Sequence, residues 1–223
     1  MIEVIDGEAG SGKTWFQTHR ILYKEWQSGQ DIFLNYEVFF SKLNERIKRF
    51  FQLEEIYHVR RGVLAFDEAQ DLFGYWESMP ISFRNLIAHH RHRGLIAVVN
   101  CQSFHDLHVE FRRNTHVRYT CRLIFRFPFR ENVKPWLMLI AVMRRRKIGT
   151  LSDGEPRFEK IGKTRFYFIS KFWTKVLYDT HSNIDNTRYL CDLSYTKLNP
   201  EKKGQWDFQM TDREILINKH NKR

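Results

Sequence analysis

The stretch of sequence that decides the fold runs from residue 2 to residue 14 and reads IEVIDGEAGSGKT. Residues 2–5 predict a short buried strand, and the residues that follow are rich in glycine, which permits unusual backbone angles. From residue 15 to residue 26, apolar and aromatic side chains recur at three- and four-residue spacing, which is typical of an amphipathic helix. The stretch therefore predicts a strand, a glycine-rich loop and a helix in immediate succession.

The glycine-rich loop fits the pattern GxxxxGK[ST] of a phosphate-binding loop (P-loop) at every constrained position. Glycines let successive backbone N–H groups converge on the β-phosphate at the start of a helix. Lys13 supplies a positive charge to the β- and γ-phosphates, and Thr14 is expected to ligate Mg²⁺. We predict that ATP and Mg²⁺ are bound by Gly7, Glu8, Ala9, Gly10, Ser11, Gly12, Lys13 and Thr14.

Such a site needs a carboxylate at the end of a neighbouring buried strand, where it can hold the Mg²⁺. The apolar run at residues 63–66 ends in Asp67 and Glu68, so Asp67 is the predicted ligand. Glu68 would orient and polarise the attacking water, and this pairing is expected of hydrolysing motors more than of simple kinases. The structural alternative is that the two acidic residues only cap the following segment.

A third apolar run, at residues 95–99, is followed by Asn100, Cys101 and Gln102. Ligands bind at the carboxyl edge of open α/β sheets, so a polar side chain here lies where it could contact a nucleotide. Gln102 is the candidate sensor of the γ-phosphate. A structural polar residue that closes the strand is the alternative.

Residues 89–94 read HHRHRG and form a dense basic segment. Its histidines have no cysteine or carboxylate beside them that would complete a metal site. Arg91 or Arg93 could instead reach the nucleotide of a neighbouring subunit, or the segment could contact DNA phosphates. A solvated helix end, with cations placed against the helix dipole, is the structural alternative.

The order of the predicted elements determines the predicted fold class. Strands alternate with helices up to about residue 115, including strands at 32–34, 63–66 and 95–99 and helices at 41–52 and 81–92. We therefore predict an α/β P-loop NTPase with a mainly parallel central sheet covered by helices.

The second part of the chain differs in pattern. Residues 117–127 and 136–146 are rich in β-branched and aromatic residues and predict an antiparallel hairpin, to which residues 165–169 can add a strand. The predicted organisation is a P-loop ATPase core at 1–127, a β-rich extension packed on it at 128–200, and a polar tail at 201–223.

Composition limits the class of protein. The 223 residues are 42% apolar and 28% charged, and the longest apolar run, 136–143, is far shorter than the roughly 20 residues that span a bilayer. No membrane span or export signal is expected, which predicts a location in the cytoplasm. The three cysteines are widely spaced, which argues against a disulfide framework. A net charge of +11 favours polyanionic partners such as nucleic acid.

The chain resembles the zonular occludens toxin family, which includes the gene I assembly proteins of filamentous phages. The resemblance covers roughly residues 1–127 and rests on the order of five features. They are the P-loop, the apolar strand that ends in Asp67-Glu68-Ala69-Gln70, the basic segment, the strand that leads to Gln102, and a later Leu177-Tyr178-Asp179-Thr180, which is similar to a segment near the end of the family's cytoplasmic domain. The family looks like an offshoot of the FtsK and HerA DNA-pumping ATPases. The positions that match their pattern are Arg91, Arg93, Gly94, Gln102 and Asn114.

The resemblance implies a multimeric ATPase, active as a ring, that works on phage DNA during virion assembly, extrusion or genome packaging. It implies coat or other assembly proteins as partners and a location in the host cytoplasm, at the inner face of the membrane through a partner, or in the virion. Typical members carry a membrane-spanning helix after the ATPase domain, which this sequence lacks, so a soluble packaging ATPase competes with a membrane-embedded one. The alternatives outside this class are a nucleotide-gated assembly scaffold with little turnover and a small-molecule P-loop kinase.

Overall fold

A computed structural model describes residues 1–36, 38, 45–75, 79–129 and 136–170. These residues form one sheet with helices on both faces. Its strands are β1 (Ile2–Asp6), β2 (Ile32–Leu34), β3 (Ile47–Arg49), β4 (Gly62–Phe66), β5 (Leu95–Cys101), β6 (Val117–Phe127), β7 (Leu137–Thr150), β8 (Pro156–Lys160) and β9 (Arg165–Ser170). The α-helices are α1 (Lys13–Phe16), α2 (Tyr23–Gln27), α3 (Leu53–Ile56), α4 (Ile81–Ala88) and α5 (Val109–Asn114).

The sheet has the strand order β3-β2-β4-β5-β1-β6-β7-β8, and β9 pairs with β7. Strands β1 to β6 run parallel to one another, whereas β7 is antiparallel to β6, β8 and β9. Strand β5 lies between β1 and β4, so it separates the strand before the P-loop from the strand before Asp67. The carboxyl ends of these three strands consequently lie side by side at one edge.

This architecture confirms the predicted α/β P-loop NTPase fold with its mainly parallel sheet and antiparallel hairpin. The hairpin belongs to the same sheet, because β6 pairs with β1 as well as with β7. The domain division at residue 127 stays a prediction, and the predicted tail at 201–223 lies outside the described residues.

The predicted helix at 41–52 is wrong in its described part. Residues Ile47–Arg49 form β3, which pairs parallel with β2 at the edge of the sheet. Ile47 and Phe50 are buried, and a short segment with apolar residues at this spacing fits a strand as well as a helix, so periodicity alone could not decide between them.

The helix after the P-loop is not a regular α-helix throughout. A π-helical segment, Gln17–Leu22, joins α1 to α2. Gln17 and Thr18 are both fully buried in this wider segment, and Thr18 shares a hydrogen bond with Tyr36 at 3.1 Å. Segments of this kind occur often at functional sites, and here the segment brings a polar side chain beneath the nucleotide-binding edge.

Alternate residues of the central strands face two hydrophobic clusters, one on each face of the sheet. Leu64 and Phe66 of β4 belong to the first cluster, whereas Val63 and Ala65 belong to the second. Phe66 lies at the centre of an aromatic group in which its ring centroid is 5.5 to 6.4 Å from those of Phe50, Phe73, Phe83 and Phe111. Both faces of β4 are therefore covered, which holds the residue after it, Asp67, in place. In the described part of the chain, no helix has the length and apolar character needed to cross a bilayer.

Candidate functional site

The P-loop connects the end of β1 to the start of α1 and lies against strand β6. Gly7 has φ of 153°, and a Cβ atom added to it would lie 2.3 Å from the carbonyl oxygen of Cys121. A side chain cannot fit at this close approach, so glycine is required by space as well as by backbone angle. The Gly7 N–H donates to the carbonyl of Gln102 at 3.2 Å, which fixes the start of the loop to the end of β5.

The end of the P-loop packs against the antiparallel strands. Gly12 has φ of 83°, and a Cβ atom there would lie 3.1 Å from side-chain atoms of Ile140 on β7 and Ile169 on β9. Both isoleucines are buried. The hairpin that follows the parallel sheet is thus part of the wall that supports the P-loop.

Lys13 lies within the curve of the loop. Its Nζ donates to the carbonyl oxygens of Gly7 at 2.8 Å and Glu8 at 3.1 Å, and the residue is only 4% exposed. An ammonium group buried among backbone carbonyls, with N–H groups of a helix start nearby, is placed to interact with anionic phosphates.

Thr14 and Asp67 meet although they are 53 residues apart in the chain. The Thr14 hydroxyl is 3.1 Å from each carboxylate oxygen of Asp67, and Asp67 is buried. A hydroxyl and a carboxylate are the hard oxygen ligands that Mg²⁺ prefers, and Mg²⁺ at such sites shares its coordination with substrate phosphates. The two side chains therefore fit the predicted Mg²⁺ position, where they would hold the ion together with the nucleotide.

Two asparagines hold Asp67 in position. The Asn35 side chain accepts from the Asp67 backbone N–H at 2.8 Å and donates to the Asp67 carbonyl at 3.1 Å. Asn100 on β5 donates to the Asp67 carboxylate at 2.8 Å. Because Asn35 follows β2 and Asn100 lies on β5, the strands on both sides of β4 contribute to this arrangement.

Gln17 completes the network from the helix side. It accepts from the Asn100 amide at 2.8 Å and donates to the backbone carbonyls of Phe66 and Val98 at 3.3 and 3.0 Å. Gln17 and Asn100 are fully buried, so the hydrogen bonds that these two side chains form are shielded from water. A buried polar network of this kind fixes side-chain positions because breaking any one bond leaves a desolvated group.

Glu68 adopts a backbone conformation that is rare for a residue with a side chain, with φ of 48°. Its Oε2 accepts from the Gln70 side chain at 2.6 Å, and the Gln70 Oε1 accepts from the Gln102 backbone N–H at 3.3 Å. Strained backbone of this kind is found preferentially at active sites. Burial, with the Glu68 carboxylate nearby, raises the pKa of Asp71 above its ordinary value.

Gln102, the predicted phosphate sensor, lies just beyond the end of β5 with an exposed side chain. Its backbone accepts from Gly7 and donates to Gln70, so it connects the P-loop to the Glu68 segment. Its role in sensing phosphate stays a prediction. Asn100, two residues earlier, is the residue of this strand whose side chain contacts Asp67.

The structure does not bring Arg91 and Arg93 to the P-loop of the same subunit. Both precede the amino end of β5, whereas the P-loop lies at the carboxyl end, and seven residues of strand separate the two edges by roughly 20 Å. Arg93 donates to the Tyr57 carbonyl at 2.6 Å, and Arg91 contacts the ring of His116. A catalytic role for either arginine would therefore require a second subunit.

Sequence reasoning missed Gln17, Asn35 and Asn100. The available signal was the position of a polar residue on an otherwise buried segment: Asn100 follows five apolar residues of β5, and Gln17 lies one helical turn after Lys13. Periodicity marks such residues as unusual, but their partners depend on strand order.

We predict that Asn100→Ala lowers the stability of the protein and that Gln102→Ala leaves it nearly unchanged. Asn100→Ala removes the amide that both Asp67 and Gln17 use, so the free energy of unfolding should fall by about 1–3 kcal/mol. Gln102→Ala, the matched exposed control, should change it by less than about 0.5 kcal/mol. Urea denaturation of both variants measures the difference. Equal stability of the two variants would contradict the buried network.

Comparison with known proteins was made for sequence and for structure. No protein-family model and no curated protein matches the sequence. Similar solved structures include the genome packaging NTPase B204 from Sulfolobus turreted icosahedral virus 2 in complex with ATP-gammaS, at 14% identity over 72% of this chain and 96% of that one, with a TM-score of 0.47.

Two further similar structures have lower TM-scores. The N-terminal domain of zonular occludens toxin from Neisseria meningitidis has 15% identity over 80% of this chain and 98% of that one, with a TM-score of 0.46. The flagellar accessory protein FlaH from Methanocaldococcus jannaschii has 13% identity over 73% and 89%, with a TM-score of 0.44. Zonular occludens toxin, the family that the sequence resembles, is therefore among the similar structures. The P-loop NTPase fold itself follows from the strand order and the loop geometry.

Proposed function

We propose that this protein is an ATPase of viral assembly, which couples ATP hydrolysis to the movement of phage DNA. The observation that carries the proposal is the contact of Thr14 with both carboxylate oxygens of Asp67, directly beneath a P-loop that encloses Lys13. This arrangement joins the two halves of a nucleotide–magnesium site.

The chemistry assigned to each residue follows from its position. Backbone N–H groups of the loop and the Lys13 ammonium bind the phosphates, and Thr14 with Asp67 holds Mg²⁺, which neutralises phosphate charge when bound. Glu68 lies one residue beyond the Mg²⁺ ligand, where its carboxylate can orient a water molecule and accept its proton. Gln70 donates to that carboxylate and limits the directions in which it can point.

DNA is proposed as the partner on two grounds. The net charge of +11 attracts a polyanion, and the order of the P-loop, acidic pair, basic segment and Gln102 resembles DNA-pumping ATPases. Packaging and extrusion both fit these observations.

A nucleotide-gated scaffold with little turnover is the second candidate. The bond from Gln70 to Glu68, at 2.6 Å, occupies an oxygen that hydrolysis would use, which favours a resting state with slow chemistry. The scaffold would bind ATP in the same P-loop and contact coat or other assembly proteins.

Lys13→Ala should abolish ATP hydrolysis while the fold survives, because the Lys13 ammonium donates to loop carbonyls and the residue belongs to neither hydrophobic cluster of the described residues. Phosphate release by the full chain, with and without DNA, measures the effect, and circular dichroism checks the fold. DNA stimulation of the unaltered protein supports a motor. Phosphoryl transfer to a small molecule would support a kinase. Hydrolysis by Lys13→Ala at the original rate would show that the P-loop is not part of the active site.

Glu68→Gln should keep ATP affinity and lower turnover by roughly 10²–10⁴-fold, because the amide preserves shape and loses the base. Glu159→Gln, an exposed site on β8, is the control and should hydrolyse ATP at the normal rate. Single-turnover kinetics and equilibrium binding of a fluorescent ATP analogue separate the two effects. If the unaltered protein is already as slow as Glu68→Gln, the scaffold is the better description.

We also propose a ring in which Arg91 or Arg93 of one subunit approaches the γ-phosphate bound by the next. Because the arginines lie at the sheet edge opposite the P-loop, such contact requires head-to-tail packing, and this kind of interface closes into rings. An arginine supplied by a neighbour can accelerate phosphoryl transfer by about 10³–10⁵-fold.

Mixing two inactive variants tests the ring. Lys13→Ala keeps the arginines, and the double variant Arg91→Ala, Arg93→Ala keeps the P-loop, so each alone should be nearly inactive. Mixed assemblies should recover part of the hydrolysis, because some interfaces join an intact arginine to an intact P-loop. Normal hydrolysis by the double-arginine variant alone would contradict the arrangement.

A further inference from the structure

A second concave site lies at the sheet edge opposite the P-loop. It is a cavity of about 490 Å³, which we call the basic cavity, and it is lined chiefly by His90, Arg91, Arg113, His116, Arg146 and Lys147. These residues come from the amino ends of β5 and β6, the end of α5 and the middle of β7. The volume falls within the roughly 300–1,000 Å³ range of ligand pockets, which is large enough for a nucleotide unit.

The charges around the basic cavity are of one sign. Four of its lining residues are arginine or lysine, and none of the described residues that line it is acidic. Glu155 pairs with Arg112 at 3.0 Å, and Glu159, opposite Arg146 in the β-ladder, forms no ion pair with it among the described residues. Like charges around one concave surface repel each other and attract an anion.

The hydrogen-bond donors around Arg91 and His116 converge. The Ile2 backbone N–H donates to the Nδ1 of His116 at 3.1 Å, so Nδ1 is an acceptor and the ring proton must be on Nε2. Burial and the Arg91 guanidinium lower the pKa of His116 to about 4, which keeps this ring neutral at pH 7. Arg91 lies against the same Nε2, so the two side chains bring their donors together in the wall of the basic cavity.

His90 adds a buried polar atom without a partner. The residue is 3% exposed, its Nδ1 is bonded to the Ile87 carbonyl at 2.6 Å, and its Nε2 has no hydrogen-bond partner among the described residues. Because Nδ1 faces a carbonyl oxygen it carries the ring proton, so Nε2 of the neutral ring is an acceptor and can donate to a phosphate oxygen only when the ring is protonated. Burial lowers the pKa of His90, and a bound anion would act in the opposite direction.

A purely structural role accounts for only some of the residues that line the basic cavity. The Lys147 ammonium donates to the Arg113 carbonyl at 2.6 Å and so caps the end of α5. The side chains of Arg113 and Arg146, in contrast, form no hydrogen bond or ion pair with any residue that the structure describes. Gly154 lies against Arg113, since a Cβ atom there would be 3.0 Å from its Nη2, and so the guanidinium is positioned without being neutralised.

We propose that the basic cavity is a second phosphate-binding site, separate from the P-loop, and that its ligand is a phosphate of a DNA backbone. Guanidinium groups match the oxygens of a phosphate in geometry and charge, and the convergent donors of Arg91 and His116 supply further bonds. The inference rests on the proposed function only in taking DNA, and not a free phosphate ion, as the source of the bound phosphate. A free phosphate has the same chemistry, and the test separates the two sources.

The test variant is Arg113→Gln with Arg146→Gln, and the matched control is Arg122→Gln with Arg165→Gln, two exposed cations that do not line the cavity. Binding of the full chain to a fluorescent oligonucleotide, without nucleotide and over a range of salt, is followed by anisotropy. The test variant should bind at least tenfold more weakly, with a salt slope smaller by about 2, because each lost phosphate contact lowers it by about 1. The control should stay within about threefold of the original protein.

Three further measurements decide the interpretation. Arg113→Lys with Arg146→Lys keeps the charge and should recover most of the DNA affinity, and basal ATP hydrolysis should be unchanged in the Gln variant. Calorimetry with inorganic pyrophosphate, in a Lys13→Ala background that removes the P-loop, tests a free phosphate. If only pyrophosphate binding depends on Arg113 and Arg146, the site stands with a free phosphate as its ligand. If neither ligand depends on them, the inference is wrong, whereas DNA-stimulated hydrolysis would still support the proposed function.

Discussion

The structure around the candidate site depends on keeping the Asp67 carboxylate buried and next to Thr14. A buried carboxylate is stable only when hydrogen bonds replace the water it has lost. Thr14 and Asn100 contact its oxygens, and Asn35 holds its backbone on both sides. These partners come from the P-loop helix and from both strands beside β4, so the position of one carboxylate requires the strand order of the whole parallel sheet.

The antiparallel strands hold the P-loop in place from the side opposite the parallel strands. Gly7 approaches the backbone of Cys121 on β6, and Gly12 approaches Ile140 and Ile169 on β7 and β9. The loop is therefore held between the parallel sheet and the hairpin, and its shape depends on both. Removing the hairpin would expose buried isoleucines and leave the P-loop without one wall, so the site belongs to the continuous sheet and not to residues 1–127 alone.

The sequence predicts those features of the site whose residues are close together in the chain. The P-loop could be recognised because strand, glycines, Lys13 and Thr14 are consecutive, and Asp67 because it ends an apolar strand. The Gln17 and Asn100 contacts could not be predicted, because they join residues 83 positions apart through a strand order that periodicity does not encode. β3 was mistaken for a helix for a related reason, since its strand character comes from pairing with β2.

The P-loop lies at one edge of the sheet and the basic segment at the opposite edge, and this limits how the protein could do mechanical work. Strand β5 begins just after the basic segment and ends beside the P-loop, and it pairs with β1 over residues 97–101 and with β4 over residues 95–99. Sliding it would break two ladders of buried hydrogen bonds at once, each bond costing about 1–3 kcal/mol if left unmade. The two edges of one subunit must therefore move together. In the ring that we propose, movement of DNA would therefore require motion between subunits, at the contact between the P-loop edge of one subunit and the edge of the next that carries the basic segment.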